Sequence, residues 1–148
     1  DYVNLGNPPN FETCTRDVFD ESTALNETEL LKIAKSMASV CAQLHGKGIN
    51  HGDFYAHNIL VNQNAESLLG DFGAATFYNV NSDLASNVER VEVRAYACLL
   101  EDILGFLSPQ EINNETYQKW QQLINHCFIP HVKNRPSFKE ISDALSRF

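Results

Sequence analysis

Three oxygen-bearing side chains, Asp53, Asn58 and Asp71, stand at short spacings near the middle of this 148-residue sequence. Asp53 and Asn58 are five residues apart, so both can lie on one loop and face the same small volume. Apolar residues follow at 59–61 and 68–69, with an asparagine-rich segment between them, a pattern that predicts a tight β-hairpin. Because a hairpin returns the chain to its starting point, we expect Asp71 to come back beside Asn58, so that the three side chains converge.

The types of these side chains suit the transfer of a phosphoryl group from ATP. A phosphoryl group in transfer carries negative charge on its oxygens, so the site must hold cations and orient the attacking hydroxyl. Carboxylate and amide oxygens are suitable ligands for Mg²⁺. We therefore predict that Asn58 and Asp71 hold magnesium, and that Asp53 accepts or orients the proton of the substrate hydroxyl. Aspartate and asparagine are also common in ordinary turns, so the prediction depends on the order and spacing of all three.

The sequence around these residues resembles the protein kinase superfamily. The family's catalytic-loop motif H-R-D-x-x-x-x-N is similar to H-G-D-F-Y-A-H-N at 51–58, and its magnesium-binding D-F-G motif occurs at 71–73. Residues 92–102 resemble the buried central helix of the family's large lobe, and N-R-P-S-F at 134–138 resembles a late element of that lobe. The likeness covers nearly all of the chain. It implies a large lobe that uses ATP and Mg²⁺ and acts on a protein substrate.

The resemblance also implies supporting roles around the site. His51 is expected to pack and hydrogen-bond beneath it, and Phe72 is expected to pack beside His51. Gly73 completes the D-F-G motif. Leu60 is expected to form part of the floor under the adenine ring. The residues implied in ATP binding are Asn58, Leu60 and Asp71.

Two further residues match positions that support the catalytic loop in the family. Glu92 stands where the family normally has aspartate, and it is expected to brace the loop from below. Arg135 matches an arginine that pairs with the glutamate of an A-P-E triplet, but no such triplet occurs between residues 71 and 92. Arg135 therefore needs another partner, for which Glu89 is our candidate.

Other positions depart from the family pattern. Gly52 replaces an arginine that commonly pairs with a phosphorylated activation segment, so we do not expect switching by phosphorylation of that segment. Tyr55 stands where serine/threonine kinases usually have a lysine that touches the transferred phosphate. His57 stands where tyrosine kinases often have arginine. These departures leave the type of acceptor residue open.

Two alternatives to an active protein kinase remain. Small-molecule kinases of the aminoglycoside or choline type share H-G-D-x-x-x-x-N, including Gly52, but the complete D-F-G and R-P-S-F runs favour the protein kinase interpretation. The other alternative is a pseudokinase that binds partners without turnover. The absence of lysine at Tyr55 favours it, and retention of all three candidate site residues opposes it. The run at 51–60 also resembles kinase-like proteins that contain leucine-rich repeats.

The phosphate-gripping elements of the family have no match here. No glycine-rich phosphate loop and no lysine of the V-A-I-K type occur in the fifty residues before His51. The resemblance therefore implies that the small lobe is absent, and that the chain, which starts with Asp1 and not methionine, begins just after the interlobe hinge. We expect this polypeptide alone to be inactive. We also expect an exposed apolar patch around Leu60 and Phe72, covered by the small lobe or by a swapped or homodimeric partner chain.

Composition narrows the classes of partner and compartment. The sequence has 19 acidic and 11 basic residues, a net charge of −8, which argues against nucleic acid or an anionic membrane as the main partner. No apolar run is long enough to span a bilayer. The four cysteines form no C-x-x-C pair, so we expect reduced thiols in a cytoplasmic protein, without disulfides or zinc.

The hydrophobic pattern predicts a mainly α fold with a small β-hairpin, which matches the large lobe of an α+β parent fold. Asn26 and Glu29 form a capping-box sequence before an apolar helical stripe that ends at Gly46. Further helices are expected at 88–104, from Ser108, along the apolar stripe 117–127 and from Ser137. We predict one domain over residues 1–148, divided into a post-hinge loop at 1–25, a long helix at 26–46, the catalytic loop and metal-binding motif at 51–73, a short activation-segment-like loop at 74–90 and a helical subdomain at 91–148.

Overall fold

The computed structural model describes residues 1–107 and 112–148. Within those residues, four α-helices contribute to one apolar core, and five short strands form two small antiparallel sheets. The helices are α1 (Glu27–Gly46), α2 (Ala85–Leu104), α3 (Asn114–Cys127) and α4 (Phe138–Leu145). The strands are β1 (Val3–Asn4), β2 (Ile49–Asn50), β3 (Ile59–Val61), β4 (Ser67–Leu69) and β5 (Thr76–Phe77). The fold is therefore mainly α, as the hydrophobic pattern predicts.

Helix α1 forms where the capping signal predicts it. The Asn26 side chain accepts a hydrogen bond from the backbone N–H of Glu29 at 3.0 Å, and the Glu29 carboxylate accepts one from the backbone N–H of Asn26 at 2.9 Å. This reciprocal pair satisfies two N–H groups at the helix start. Leu30, Ile33 and Met37 on one face are completely buried. Packing of that apolar face holds α1 against the core.

The hairpin predicted after Asn58 is formed by β3 and β4. Its turn is held by the side chain of Asn62, whose oxygen accepts the backbone N–H groups two and four residues further on. Strand β1 adds to the other side of β3, and β2 pairs with β5 in a separate two-stranded sheet. The prediction of one small β-hairpin left out β1, β2 and β5, because two-residue strands are too short to show a period in the sequence.

Helix α2 begins earlier than its apolar pattern predicts, at Ala85 instead of Val88. The residue before it is a leucine that makes no side-chain cap, so no polar start signal marks the boundary in the sequence. The loop predicted at residues 74–90 therefore ends before residue 85. The helical subdomain predicted to begin at residue 91 begins at residue 85 instead.

The C-terminal helices follow their predicted signals in part. The short helix predicted from Ser108 falls outside the described residues. Helix α3 buries Trp120, whereas Tyr117 at the start of the predicted stripe is 42% exposed. Helix α4 starts with the capping box predicted at Ser137 and Glu140. None of the helices in the described ranges is both long and apolar enough to cross a membrane.

The core is centred on Tyr96 in the middle of α2. Its ring is fully buried, and its O–H donates a hydrogen bond to the backbone carbonyl of Ala34 in α1 at 2.8 Å. The ring of Phe138, at the start of α4, meets the Tyr96 ring edge-on with centroids 5.3 Å apart. Helix α2 thereby connects α1 and α4. These three helices form the base on which the site loops rest.

Candidate active site

The loop between β2 and β3 brings Asp53 and Asn58 into direct contact. The Asn58 side-chain N–H group donates to the carboxylate of Asp53 at 3.0 Å and to its backbone carbonyl at 2.9 Å. Asn58 is 8% exposed and ends a short helical turn, Ala56–Asn58. Both bonds use the amide nitrogen, and the amide oxygen accepts no hydrogen bond from the described residues. That oxygen is therefore free to act as a ligand.

Strand β4 returns Asp71 to the same place. The backbone N–H of Gly70 donates to the carbonyl of Asn58 at 2.8 Å, so the residue before Asp71 is held directly against Asn58. Asp71 has a left-handed backbone with a φ of 47°, and its carboxylate accepts the backbone N–H of Gly73 at 3.1 Å. Left-handed backbone is uncommon outside glycine and concentrates at functional sites. Asp71 is exposed, so its second oxygen is available to a cation.

His51 lies completely buried beneath this loop. Its Nε2–H donates to the backbone carbonyl of Gly70 at 2.8 Å, and its ring meets the Phe72 ring edge-on with centroids 4.8 Å apart. Both contacts connect the loop to the returning strand. Phe72 is 47% exposed and Leu68 is 51% exposed. Leu60, which pairs with Leu68 in the hairpin, is half-buried. Phe72 and Leu68 are therefore more exposed than Leu60, which was predicted to be part of an exposed apolar patch.

Gly52 occupies a position that no other residue fits without strain. Its φ is +79°, and a Cβ placed there would lie 2.5 Å from the carbonyl oxygen of Ala74. Any side chain would strain the backbone or displace the segment that follows the D-F-G motif. The close approach of these two segments therefore favours glycine here, and motif comparison alone could not reveal it.

Glu92 reaches from α2 and holds the backbone of the loop. Its carboxylate is 4% exposed and accepts the backbone N–H of Gly52 at 3.0 Å and that of His51 at 3.4 Å. It also accepts a hydrogen bond from Nε2–H of His45, on α1, at 2.7 Å. His45 was not among the predicted residues. Its position four residues after Cys41, on the apolar face of α1, marks it as a buried polar residue in need of a partner.

Arg135 is buried and pairs with backbone carbonyls. Its Nε–H donates to the carbonyl of Ile129 at 2.8 Å, and its Nη1–H donates to the carbonyl of Arg90 at 2.9 Å. Burial lowers the pKa of Arg135. The prediction of Glu89 as its partner was wrong, because Glu89 accepts the O–H of Tyr78 at 2.9 Å. Burial, together with this carboxylate, raises the pKa of Tyr78. Backbone carbonyls of α2 and of the loop before α4 thus replace the expected carboxylate.

A contact that the motifs did not predict joins the N-terminal segment to the loop. The buried carboxylate of Asp17 accepts the backbone N–H of His57 at 3.1 Å and its Nδ1–H at 2.8 Å. The ring of Tyr55 stacks on that of His57 with centroids 5.4 Å apart. The segment predicted as a post-hinge loop therefore positions the residue next to Asn58. No local signal marks Asp17, because its partner is 40 residues away.

The oxygen ligands of this site suit a magnesium nucleotide. Among the residues described, no three His, Cys, Asp or Glu side chains lie close enough to hold a metal ion by themselves. Asn58 and Asp71 instead offer one amide oxygen and one carboxylate. Mg²⁺ takes one or two protein oxygens and completes its shell with phosphate oxygens and waters. The residues present therefore fit Mg²⁺ with a bound nucleotide, and Asp53 lies beside them to orient a hydroxyl.

The chain is similar to known proteins of one kind. Residues 6–98 match the protein kinase domain family. Two relatives described as probable LIM domain-containing serine/threonine-protein kinases of Dictyostelium discoideum are each 24% identical, over 88% and 79% of this chain. A probable cyclin-dependent serine/threonine-protein kinase of the same organism is 38% identical over 39% of this chain. The matched segments cover 25%, 16% and 9% of those proteins, so this chain spans a quarter or less of their length.

Proposed function

This chain belongs to the protein kinase family, and we propose that it is the large lobe of a kinase that transfers the γ-phosphoryl group of ATP to a protein hydroxyl. The main support is the bond from the Asn58 amide to the Asp53 carboxylate at 3.0 Å, with Asp71 returned beside Asn58 by β4. One carboxylate is then presented to the acceptor, and two other oxygen ligands remain for a cation. Serine or threonine is the proposed acceptor residue, on the support of the relatives' descriptions.

Each residue at the site takes a separate role in this proposal. Asp53 accepts or orients the proton of the attacking hydroxyl. Asn58 and Asp71 hold Mg²⁺, which when bound neutralises negative charge on the phosphoryl group. Leu60, half-buried on β3, offers apolar surface to the adenine ring.

Buried groups keep the loop in place before a substrate arrives. Glu92 fixes the backbone at Gly52, His51 connects the loop to the returning strand, and Asp17 fixes His57. Because these supports are already formed, little ordering of the loop is left to occur when the substrate binds. Asp53 is thereby preorganised for proton acceptance.

The exposure of Phe72 and Leu68 supports the proposal that this face is covered in the active enzyme. Exposed apolar side chains beside a site favour a covering partner. We propose an ATP-gripping small lobe as the cover, with a swapped or homodimeric partner chain as the alternative. The 148 residues alone contain no glycine-rich loop, so the isolated polypeptide should show no kinase activity.

Phosphate transfer from labelled ATP by the full-length protein tests the proposal. It should label serine or threonine in a protein substrate, and Asp53→Asn should lower the rate by about 100-fold or more, the usual contribution of a general base. Glu115→Gln, on an exposed turn of α3, should leave the rate unchanged. Labelling of an aminoglycoside or choline in place of protein would favour a small-molecule kinase.

ATP binding without transfer to any acceptor would favour a pseudokinase scaffold, which the tyrosine at position 55 also favours. Leucine-rich repeats elsewhere in the full-length protein would place it in the subfamily that the run at 51–60 resembles.

A further inference from the structure

A cleft of about 340 Å³ opens beside the catalytic loop. One wall is the stretch 54–56, which directly follows Asp53, and a second is the face of α2 that includes Ala95 and Leu99. The third wall is the segment 15–17. Because the first wall adjoins Asp53, a peptide whose hydroxyl reaches Asp53 can place a neighbouring side chain in this cleft.

Four charged side chains line the cleft, and three of them already have hydrogen-bonded partners among the described side chains. Arg16 donates to the carboxylate of Asp102, which also lines the cleft, and to Glu101 at 2.9 Å. Asp17 accepts both of its hydrogen bonds from His57. Partial burial raises the pKa of Asp102, against the opposing effect of the bond from Arg16. Entering ligands therefore meet pairs that are already formed.

Arg94, on α2, is the fourth charged residue. It is exposed, and its guanidinium carbon lies 5.3 Å from the centroid of the Phe128 ring. No carboxylate among the described residues forms an ion pair with it. Burial raises the pKa of Cys98 in the cleft wall, while Arg16 and Arg94 both lower it. The two arginines thus act on the same part of the cleft, and only Arg94 lacks a carboxylate partner there.

We propose that this cleft binds an acidic side chain of the protein substrate, and that Arg94 selects for it. The inference rests on the proposed function, since it concerns the acceptor chain of the same site. A carboxylate that enters the cleft gains Arg94 without displacing an existing pair, and the N–H fork of arginine matches carboxylate geometry. A basic side chain would have to compete with Arg16 for Asp102. Arg94 is exposed, so an ion pair formed with it remains partly in contact with water.

Peptide binding to the 148-residue chain, measured by fluorescence anisotropy, tests this inference. Each labelled peptide is neutral apart from one glutamate, which is moved through every position on either side of a central serine. Matched peptides have alanine or lysine at the same position. We expect glutamate in the preferred position to bind about fivefold more tightly than alanine, as one partly exposed ion pair can provide. The net charge of −8 repels acidic peptides at long range, so such a preference must come from local cations.

Charge reversal at Arg94 identifies the residue responsible. Arg94→Glu should reverse the order, so that the lysine peptide binds more tightly than the glutamate peptide. Arg147→Glu makes the same change in net charge at an exposed position outside the cleft, and it should leave the preference for glutamate intact. If thermal melting shows that Arg94→Glu is unfolded, Arg94→Gln should abolish the preference without reversing it.

Three results would overturn the inference in distinguishable ways. Equal binding of glutamate and alanine peptides at every position removes the acidic specificity and leaves the proposed function standing. A preference for lysine in the unaltered chain assigns the cleft to Asp102 in place of Arg94. If no peptide of any charge binds, the inference fails, while the proposed function is tested separately by phosphate transfer in the full-length protein.

Discussion

Replacing Glu92 by alanine should lower the free energy of unfolding by about 3 to 5 kcal/mol, as is usual when one member of a buried ionisable pair is removed. The carboxylate is 4% exposed and accepts hydrogen bonds from His45 at 2.7 Å, from the backbone of Gly52 at 3.0 Å and from the backbone of His51 at 3.4 Å. Each buried donor left without an acceptor costs about 1 to 3 kcal/mol. Since the bond from His51 is long, it should contribute least to the loss.

Urea unfolding followed by circular dichroism measures this loss. Glu115→Ala is the matched control, because the Glu115 side chain is 82% exposed and its ion pair with a described residue is the surface pair with Lys119 at 3.3 Å. It should change stability by less than about 0.5 kcal/mol. A loss for Glu92→Ala no larger than for Glu115→Ala would refute the role of Glu92 as the brace of the loop.

Glu92→Gln separates the contributions of the two carboxylate oxygens. One amide oxygen can still accept the N–H of Gly52, but the amide N–H₂ group would face the remaining donors, so the loss should lie between those of the alanine variant and the control. Amide hydrogen exchange at His51 and Gly52 should accelerate more than exchange elsewhere in the chain. Uniform acceleration along the chain would show that Glu92 acts on general stability and not on the loop.

Other substitutions and conditions test separate parts of the structure. Gly52→Ala should cost about 2 kcal/mol or more in thermal melting, because of its φ of +79° and the nearby carbonyl, whereas Gly46→Ala, where a Cβ meets nothing within 4 Å, should be neutral or slightly stabilising. Exposed Cys14 should be alkylated long before Cys127, since burial raises the pKa of Cys127 to about 12; equal labelling by mass spectrometry would contradict this. Glu140→Ala should cost about 0.5 kcal/mol at neutral pH, since hydrogen bonds from the backbone and hydroxyl of its capping serine lower the pKa of Glu140 and its side chain is 66% exposed. Because the folded pKa is lowered, this stabilisation is present above the ordinary pKa of 4.5 and is lost as the pH falls, so the free energies of unfolding of the two proteins in urea should converge as the pH falls below that value.

Signals held in neighbouring residues predicted much of the fold. Asn26 and Glu29 mark the start of α1 by the bonds they exchange, and Ser137 does the same for α4. Asn62 sits in the turn of the hairpin, where its side chain replaces backbone contacts. The spacing of Asp53 and Asn58 likewise predicted their proximity, because five residues on one loop cannot separate far.

Contacts between distant residues could not be predicted in this way. His45 and Asp17 find their partners across the fold, and no period or cap in the sequence indicates which acidic or basic residue each will meet. The prediction of a partner for Arg135 was wrong for the same reason, because the sequence does not show which backbone carbonyls a buried arginine will meet. Gly52 was interpreted as a lost cation, and no signal in the sequence showed that two backbone segments cross closely at this residue.

Anomalous scattering from a crystal of the full-length protein with Mn²⁺ and a non-hydrolysable ATP analogue tests the central claim most directly. We expect a metal peak about 2.1 to 2.2 Å from the amide oxygen of Asn58 and from a carboxylate oxygen of Asp71, the range for hard cations of this size. The Asp53 carboxylate should face the γ-phosphate. A metal bound away from both ligands, or oxygens of Asn58 and Asp71 that point apart with nucleotide present, would contradict the account.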